Sequence, residues 1–153
     1  SSDLDFTDHY YTNKLQFVAP KNVDFKTDES YLKGKVIGAQ RATIAGTWLE
    51  DNLDRVVDIK LYDTQENAYL DLASGRVDGI LADTFVQWEW LKSDAGKNFE
   101  FKGEPVFDDD KIAIAVRKGN DELRERLNKA LAEIIADGTY KQINDKYFLF
   151  SIY

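Results

Sequence analysis

Two short stretches of this 153-residue chain carry residue types that could do chemistry. The first is Gln40-Arg41-Ala42-Thr43-Ile44-Ala45, small and polar residues set between the apolar Val36-Ile37-Gly38-Ala39 and a second segment running past Trp48. With a strand before it and a helix after it, Thr43 offers a hydroxyl, and the amides of Thr43, Ile44 and Ala45 open a helix. First-turn amides have no intrahelical acceptor, and the helix dipole there favours negative charge, which suits a carboxylate. Gln40 stands at the strand end beside them. The second stretch ends in Asp83, which closes Gly79-Ile80-Leu81-Ala82 just before Thr84-Phe85. Each has a plainer alternative, because Thr and Asp are favoured helix N-caps, and the local pattern leaves both readings open. Taken together, an anion acceptor and a carboxylate on adjacent strand ends match the two ends of a zwitterion, a free amino acid.

Other residues point nowhere as specific. His9, the one histidine, lies in Phe6-Thr7-Asp8-His9-Tyr10-Tyr11 without an identifiable partner for general-base work. The acidic run Asp108-Asp109-Asp110-Lys111 has no calcium-loop spacing and reads as a solvated loop. Trp48, Trp88 and Trp90 suit an aromatic clamp or, more plainly, core or half-buried surface positions. Gly-x-Ser-x-Gly, P-loop and dinucleotide fingerprints are missing, so neither an enzyme nor a cofactor or metal site is expected. Cysteine is absent, which excludes disulfides and thiolate ligands. A net charge of −8 without a basic cluster gives no electrostatic basis for nucleic-acid binding. No stretch reaches the roughly 18 apolar residues of a membrane span, and residues 1–20 do not read as a signal peptide. The opening Ser-Ser-Asp-Leu-Asp-Phe, without methionine, reads as a mature, trimmed or engineered chain.

The elements that must position these residues alternate. Lys14–Pro20 reads as a strand stopped by proline, Lys21–Gly34 as a connection, and Lys35–Ala39 as a buried strand. A helix from Thr43 to Asn52 and a strand from Val56 to Tyr62 follow. Asp63-x-x-Glu66 then starts a helix with Ala68, Tyr69, Leu72 and Ala73 on its apolar face and Gly75 as its stop. Arg76–Asp83 is the next strand, followed by a helix with Phe85, Trp88 and Leu91 at helical spacing. Phe99–Gly103 and Lys111–Val116 read as two further strands. Short strand–helix connections predict right-handed βαβ units, hence an α/β domain with a mainly parallel sheet. The C-terminal part is helical: Leu123, Leu127, Ala130, Leu131, Ile134 and Ile135 form one stripe ending at Gly138, and Thr139-x-x-Gln142 caps a second helix reaching Tyr147.

Four blocks, LDFTDHYYTNKLQFVAPK, LKGKVIGAQRATIAGTWLE, LYDTQENAYLDLASGRVDGILAD and IAIAVRKGNDELRERLNKALAEIIADGTYKQINDKYF, resemble the polar-amino-acid solute-binding proteins of bacterial ABC transporters. The lysine/arginine/ornithine type is nearest, and the resemblance runs over essentially the whole chain. It implies the type II periplasmic-binding fold: a three-layer α/β/α lobe with a C-terminal helical pair. Residues 1–111 resemble the first crossing segment and the second, ligand-binding lobe. Residues 112–153 resemble the return strand and the helices that in the family pack on the first lobe. That lobe's N-terminal elements, and the arginine that clamps the ligand carboxylate, have no counterpart in these residues.

By position, Thr43, Ile44 and Ala45 resemble the residues that hold the α-carboxylate, Gln40 one near the ligand side chain, and Asp83 the acid that pairs with the α-ammonium. The resemblance implies a non-enzymatic, periplasmic protein that binds a free basic amino acid, L-arginine foremost, and works with an ABC transporter permease. Contacts from one lobe alone imply weakened binding. An uncovered C-terminal stripe implies a homodimer through the C-terminal helices. The alternative is a lobe-only or engineered fragment that folds and self-associates without binding ligand.

Overall fold

The computed structural model describes residues 3–153. The chain forms two compact units, one from Lys14 to Asp108, the other from the residues up to Asn13 together with Asp109–Tyr153. Strands β1 (Leu4–Pro20) and β5 (Phe99–Arg117) each run from one unit into the other along the chain.

In the Lys14–Asp108 unit, β2 (Val36–Gln40) pairs in parallel with β3 (Asp58–Tyr62) and β4 (Gly79–Asp83), while β1 is antiparallel to β4. The sheet order is β3-β2-β4-β1-β5. Side chains alternate across a strand, so each face collects its own core. Leu15, Phe17 and Ala19 of β1, Ile37 and Ala39 of β2 and Leu81 of β4 meet Leu32 of α1 (Glu29–Leu32) and Ala45, Leu49 and Leu53 of α2 (Ile44–Leu53). The opposite face places Val18, Ile80 and Ala82 against Ala68, Tyr69 and Leu72 of α3 (Gln65–Ala73) and Trp90 and Leu91 of α4 (Thr84–Leu91). The result is the α/β arrangement expected from the alternating pattern, in the three-layer α/β/α form that the family resemblance implies.

Several boundaries differ from the sequence expectation. Residues 29–32 of the expected connection form α1, because the Asp28 carboxylate caps it by accepting from the Tyr31 amide. Val56 and Val57 stand outside β3, where their amides donate to the Leu53 carbonyl. The cap of α3 is Thr64, whose hydroxyl accepts from the Asn67 amide at 3.2 Å, not Asp63, and Ala73 is exposed. On α4 the buried residues are Thr84 and Gln87 rather than Phe85 and Trp88. Gln87, fully buried, donates to the carbonyls of Gln16 and Ala82, so a polar residue anchors this helix to two strands.

The two strands expected at Phe99–Gly103 and Lys111–Val116 are one, and Asp108–Asp110 lie within it rather than in a loop. Within it Gly103 has φ +67°, which suits glycine, and a Cβ there would stand 2.8 Å from Thr27.

A charged cluster ties β3 to α3. Asp71, 9% exposed, accepts from Lys60 Nζ at 2.6 Å, the Tyr62 hydroxyl at 2.7 Å and Arg76 Nε at 2.7 Å. Lys60, then Tyr62, then Arg76 hold its carboxyl well below the usual carboxylate range.

In the other unit, the Thr7 hydroxyl accepts from the Ile114 amide, Thr12 donates its amide to Ile152, and the Tyr140 hydroxyl donates to the Tyr10 carbonyl. Helix α5 (Asp121–Ala136) has no buried residue despite its apolar stripe. Helix α6 (Thr139–Tyr147) is preceded by Gly138 at φ +85°, and the Asp137 carboxylate accepts from the Thr139 amide, so Thr139 itself does not act as the cap. His9 stacks on Tyr153, with ring centroids 4.8 Å apart.

Candidate functional site

The turn after β2 is shaped by three residues. Arg41 extends the strand pairing by donating its amide to the Tyr62 carbonyl at 2.7 Å. Ala42 takes φ +58°, a left-handed conformation uncommon for a residue with a Cβ, and reverses the chain. Thr43 returns to extended backbone and starts α2: its hydroxyl donates to the Gln40 carbonyl at 2.7 Å and accepts from the Gly46 amide at 3.3 Å. Gly46 permits the close seating of α2 on the strand end, since a Cβ there would lie 3.0 Å from the Gln40 carbonyl oxygen. The amides of Ile44 and Ala45 therefore open the helix beside the end of β2. Ile44 is exposed and Ala45 buried.

Around this turn, Ala42, Thr43, Ile44, Thr47, Trp48 and Phe107 line most of an open depression of about 430 Å³. Gln40 and Asp83 do not line it. The Gln40 side chain reaches toward the Asp63 carbonyl at 3.5 Å, and the Arg41 guanidinium pairs with the Asp63 carboxylate at 3.1 Å.

Asp83 ends β4 opposite Leu15 of β1. Its carboxylate caps α4 by accepting from the Val86 amide at 2.9 Å. β2 and β4 are hydrogen-bonded parallel neighbours, so Gln40 and Asp83 leave the same edge of the sheet. Both expected site residues thus perform the plainer role of N-cap. The Asp83 cap leaves carboxylate lone pairs for a second partner, whereas the Thr43 hydroxyl, whose proton is on the Gln40 carbonyl, must release that carbonyl before it can donate to an anion.

Two polar side chains on α3 escape notice in the sequence. Tyr69, read there as part of an apolar face, is 7% exposed and stacks on Trp90 at 4.1 Å, with the planes 3° apart. Burial pushes its hydroxyl above the ordinary tyrosine range, with the neighbouring Gln65 side chain acting the other way. Gln65 lies one turn earlier on the same helix. An i, i+4 pair of polar tips in an apolar stripe was the available signal. Trp90 is the tryptophan in the core of this face, and Trp48 borders the depression.

Residues 1–150 match the bacterial extracellular solute-binding proteins, family 3. The L-arginine-binding protein of Pseudomonas aeruginosa is 36% identical over 156 residues, covering 98% of this chain and 60% of that protein. ABC transporter arginine-binding protein 1 of Escherichia coli is 40% identical over 150 residues, 97% of this chain and 60% of the relative. The histidine-binding periplasmic protein of Salmonella typhimurium is 37% identical over 158 residues, again 60% of its length. The chain spans about 60% of the length of these curated relatives. Among solved structures, Lactococcus lactis GlnP substrate binding domain 2 in its open conformation superposes with a TM-score of 0.80 at 26% identity, over 98% of this chain and 64% of that one. An ancestral arginine-binding protein bound to arginine gives a TM-score of 0.69 at 35% identity, over 95% and 64%.

Proposed function

The chain belongs to the bacterial extracellular solute-binding proteins of family 3, and from that membership we propose that it binds a free basic amino acid, L-arginine foremost, without catalysing a reaction, as the periplasmic receptor component of an ABC transporter. Thr43 and the Ile44 and Ala45 amides take the α-carboxylate, Asp83 takes the α-ammonium, and Gln40 lies toward the ligand side chain. The observation that carries this reading is the parallel pairing of β2 with β4, which delivers a helix start and a carboxylate to one sheet edge. Arginine named in two of the relatives supports the choice of ligand.

L-arginine titrated into labelled chain is expected to shift the amide resonances of Thr43–Ala45 and Asp83. Asp83→Asn is the discriminating variant, because asparagine keeps the N-cap acceptor while removing the charge that pairs with ammonium. Losing one charge-assisted hydrogen bond of about 1.5–3 kcal/mol weakens binding roughly ten- to hundredfold. If arginine moves none of these resonances in the parent chain, the reading is wrong.

A second reading rests on the other unit. Leu123, Ile143, Tyr147 and Leu149 are 41%, 54%, 58% and 84% exposed, and α5 buries no residue. We infer self-association into a homodimer through α5 and α6. Light scattering across a concentration series is expected to show dimer mass, and a monomer mass throughout removes this reading.

A further inference from the structure

An ion pair stands at the sheet edge where β2 and β3 end. Gln40 lies opposite Tyr62 in the parallel register, and the Arg41 amide donates to the Tyr62 carbonyl at 2.7 Å, so the two strands leave Arg41 and Asp63 side by side. Arg41 Nε donates to the Asp63 carboxylate at 3.1 Å, and the guanidinium also reaches the Leu61 carbonyl at 3.5 Å. The Gln40 side-chain amide reaches the Asp63 carbonyl at 3.5 Å. Asp63 therefore adjoins Gln40, the residue assigned above to the ligand side chain. Its carboxylate is not committed to α3, because Thr64 caps that helix.

The order β3-β2-β4 places the ends carrying Asp63 and Asp83 two strand spacings apart, about 10 Å. An extended arginine or lysine covers such a span between its α-ammonium and its side-chain cation, with a hydrogen bond at each end. One sheet edge thus presents a carboxylate for each cation of a basic amino acid.

Arg41 complicates this match. A cation at the edge repels a cationic ligand unless a carboxylate neutralises it, and Asp63 does so. A ligand guanidinium carries the same planar donors as Arg41, so the two compete for one acceptor. The Arg41 and Asp63 side chains are 60% and 84% exposed, and an ion pair so open to water adds little stability and exchanges partners at low cost. A neutral side chain brings no charge with which to displace Arg41.

Resting on the receptor reading above, we propose that Asp63 is the specificity-determining acceptor for the cationic side chain of a bound amino acid, and that Arg41 is the internal cation this side chain displaces.

The 153-residue chain, isotope-labelled, is titrated with L-arginine and with L-citrulline, which matches arginine in length and shape but carries no side-chain charge. Amide shifts of Thr43–Ala45 and Asp83 give each affinity, and the parent is expected to bind arginine the tighter. Arg41→Gln removes the competitor: arginine affinity is expected to rise about three- to tenfold, with citrulline within about twofold of the parent. Asp63→Asn removes the acceptor and leaves Arg41 uncompensated, so arginine affinity falls about tenfold and the preference over citrulline disappears. A merely structural role moves both ligands together. Urea midpoints are expected to match the parent, and should one variant fold poorly the other decides.

Affinities that move together, or an arginine-to-citrulline ratio unchanged in a folded variant, overturn the inference. A parent chain that binds both ligands equally overturns it while leaving the receptor reading in place, whereas a parent that binds neither removes both.

Discussion

Phe17→Ala is expected to lower the stability of the chain by about 3–5 kcal/mol. Phe17 is fully buried at the middle of the face covered by α1 and α2, paired across the sheet with Leu81 and packed against Phe25, whose ring centroid is 5.8 Å away. Removing the ring loses its transfer free energy and leaves a cavity beneath Ala45 and Leu49, which a rigid sheet cannot close. Because the same helix begins at Thr43, this packing also holds the proposed carboxylate site against the strand end. Urea unfolding measures the effect as a lowered midpoint with an unchanged slope. Phe6→Ala, at a position 53% exposed, serves as the control and is expected to stay within about 0.5 kcal/mol of the parent. A loss below about 1 kcal/mol for Phe17→Ala contradicts the core assignment.

Asp71→Asn is expected to destabilise the chain markedly at neutral pH and progressively less as acid is added. One carboxylate serves Lys60, Tyr62 and Arg76, so the amide deprives two cations of their counter-charge and leaves them near one another. The sign follows from linkage. The folded carboxyl titrates below its unfolded value, so its contribution is fully present above the unfolded pKa of about 3.9. That contribution is lost as pH falls from there through the depressed folded value. Above about pH 5 the gap between parent and variant is therefore constant, and below about pH 4 it narrows. Unfolding midpoints measured from pH 7 down to pH 2 check this. A gap that stays constant to the lowest pH shows that the cluster is held by shape rather than by charge.

These two effects concern different links between sequence and function. Phe17 supports the face that carries the α2 start, and Asp71 clamps α3, the helix on which Gln65 and Tyr69 lie. A site built from strand ends and first helical turns is as well defined as the packing that fixes those turns. The membership in family 3 directs attention to Thr43 and Asp83, but their geometry comes from Gly46, which lets α2 sit against Gln40, and from Ala42, which reverses the chain.

Alternation of apolar and polar residues, glycine stops and capping residues were enough to read the α/β order, the places where β2 and β4 end, and Thr43 and Asp83 as the residues that begin the following helices. Those signals are local, because periodicity and caps act within a turn or two of the chain. Local signals failed where a distant partner decided the outcome. The two predicted strands run as one from Phe99 to Arg117, and the carbonyls of Gln16 and Ala82 hold Gln87 in the buried place on α4. The sequence by itself determined which elements exist and which residues stand at their ends. Only the tertiary structure decided the full order β3-β2-β4-β1-β5 and the burial of Tyr69 against Trp90, because strand order and burial depend on contacts between residues far apart in the chain.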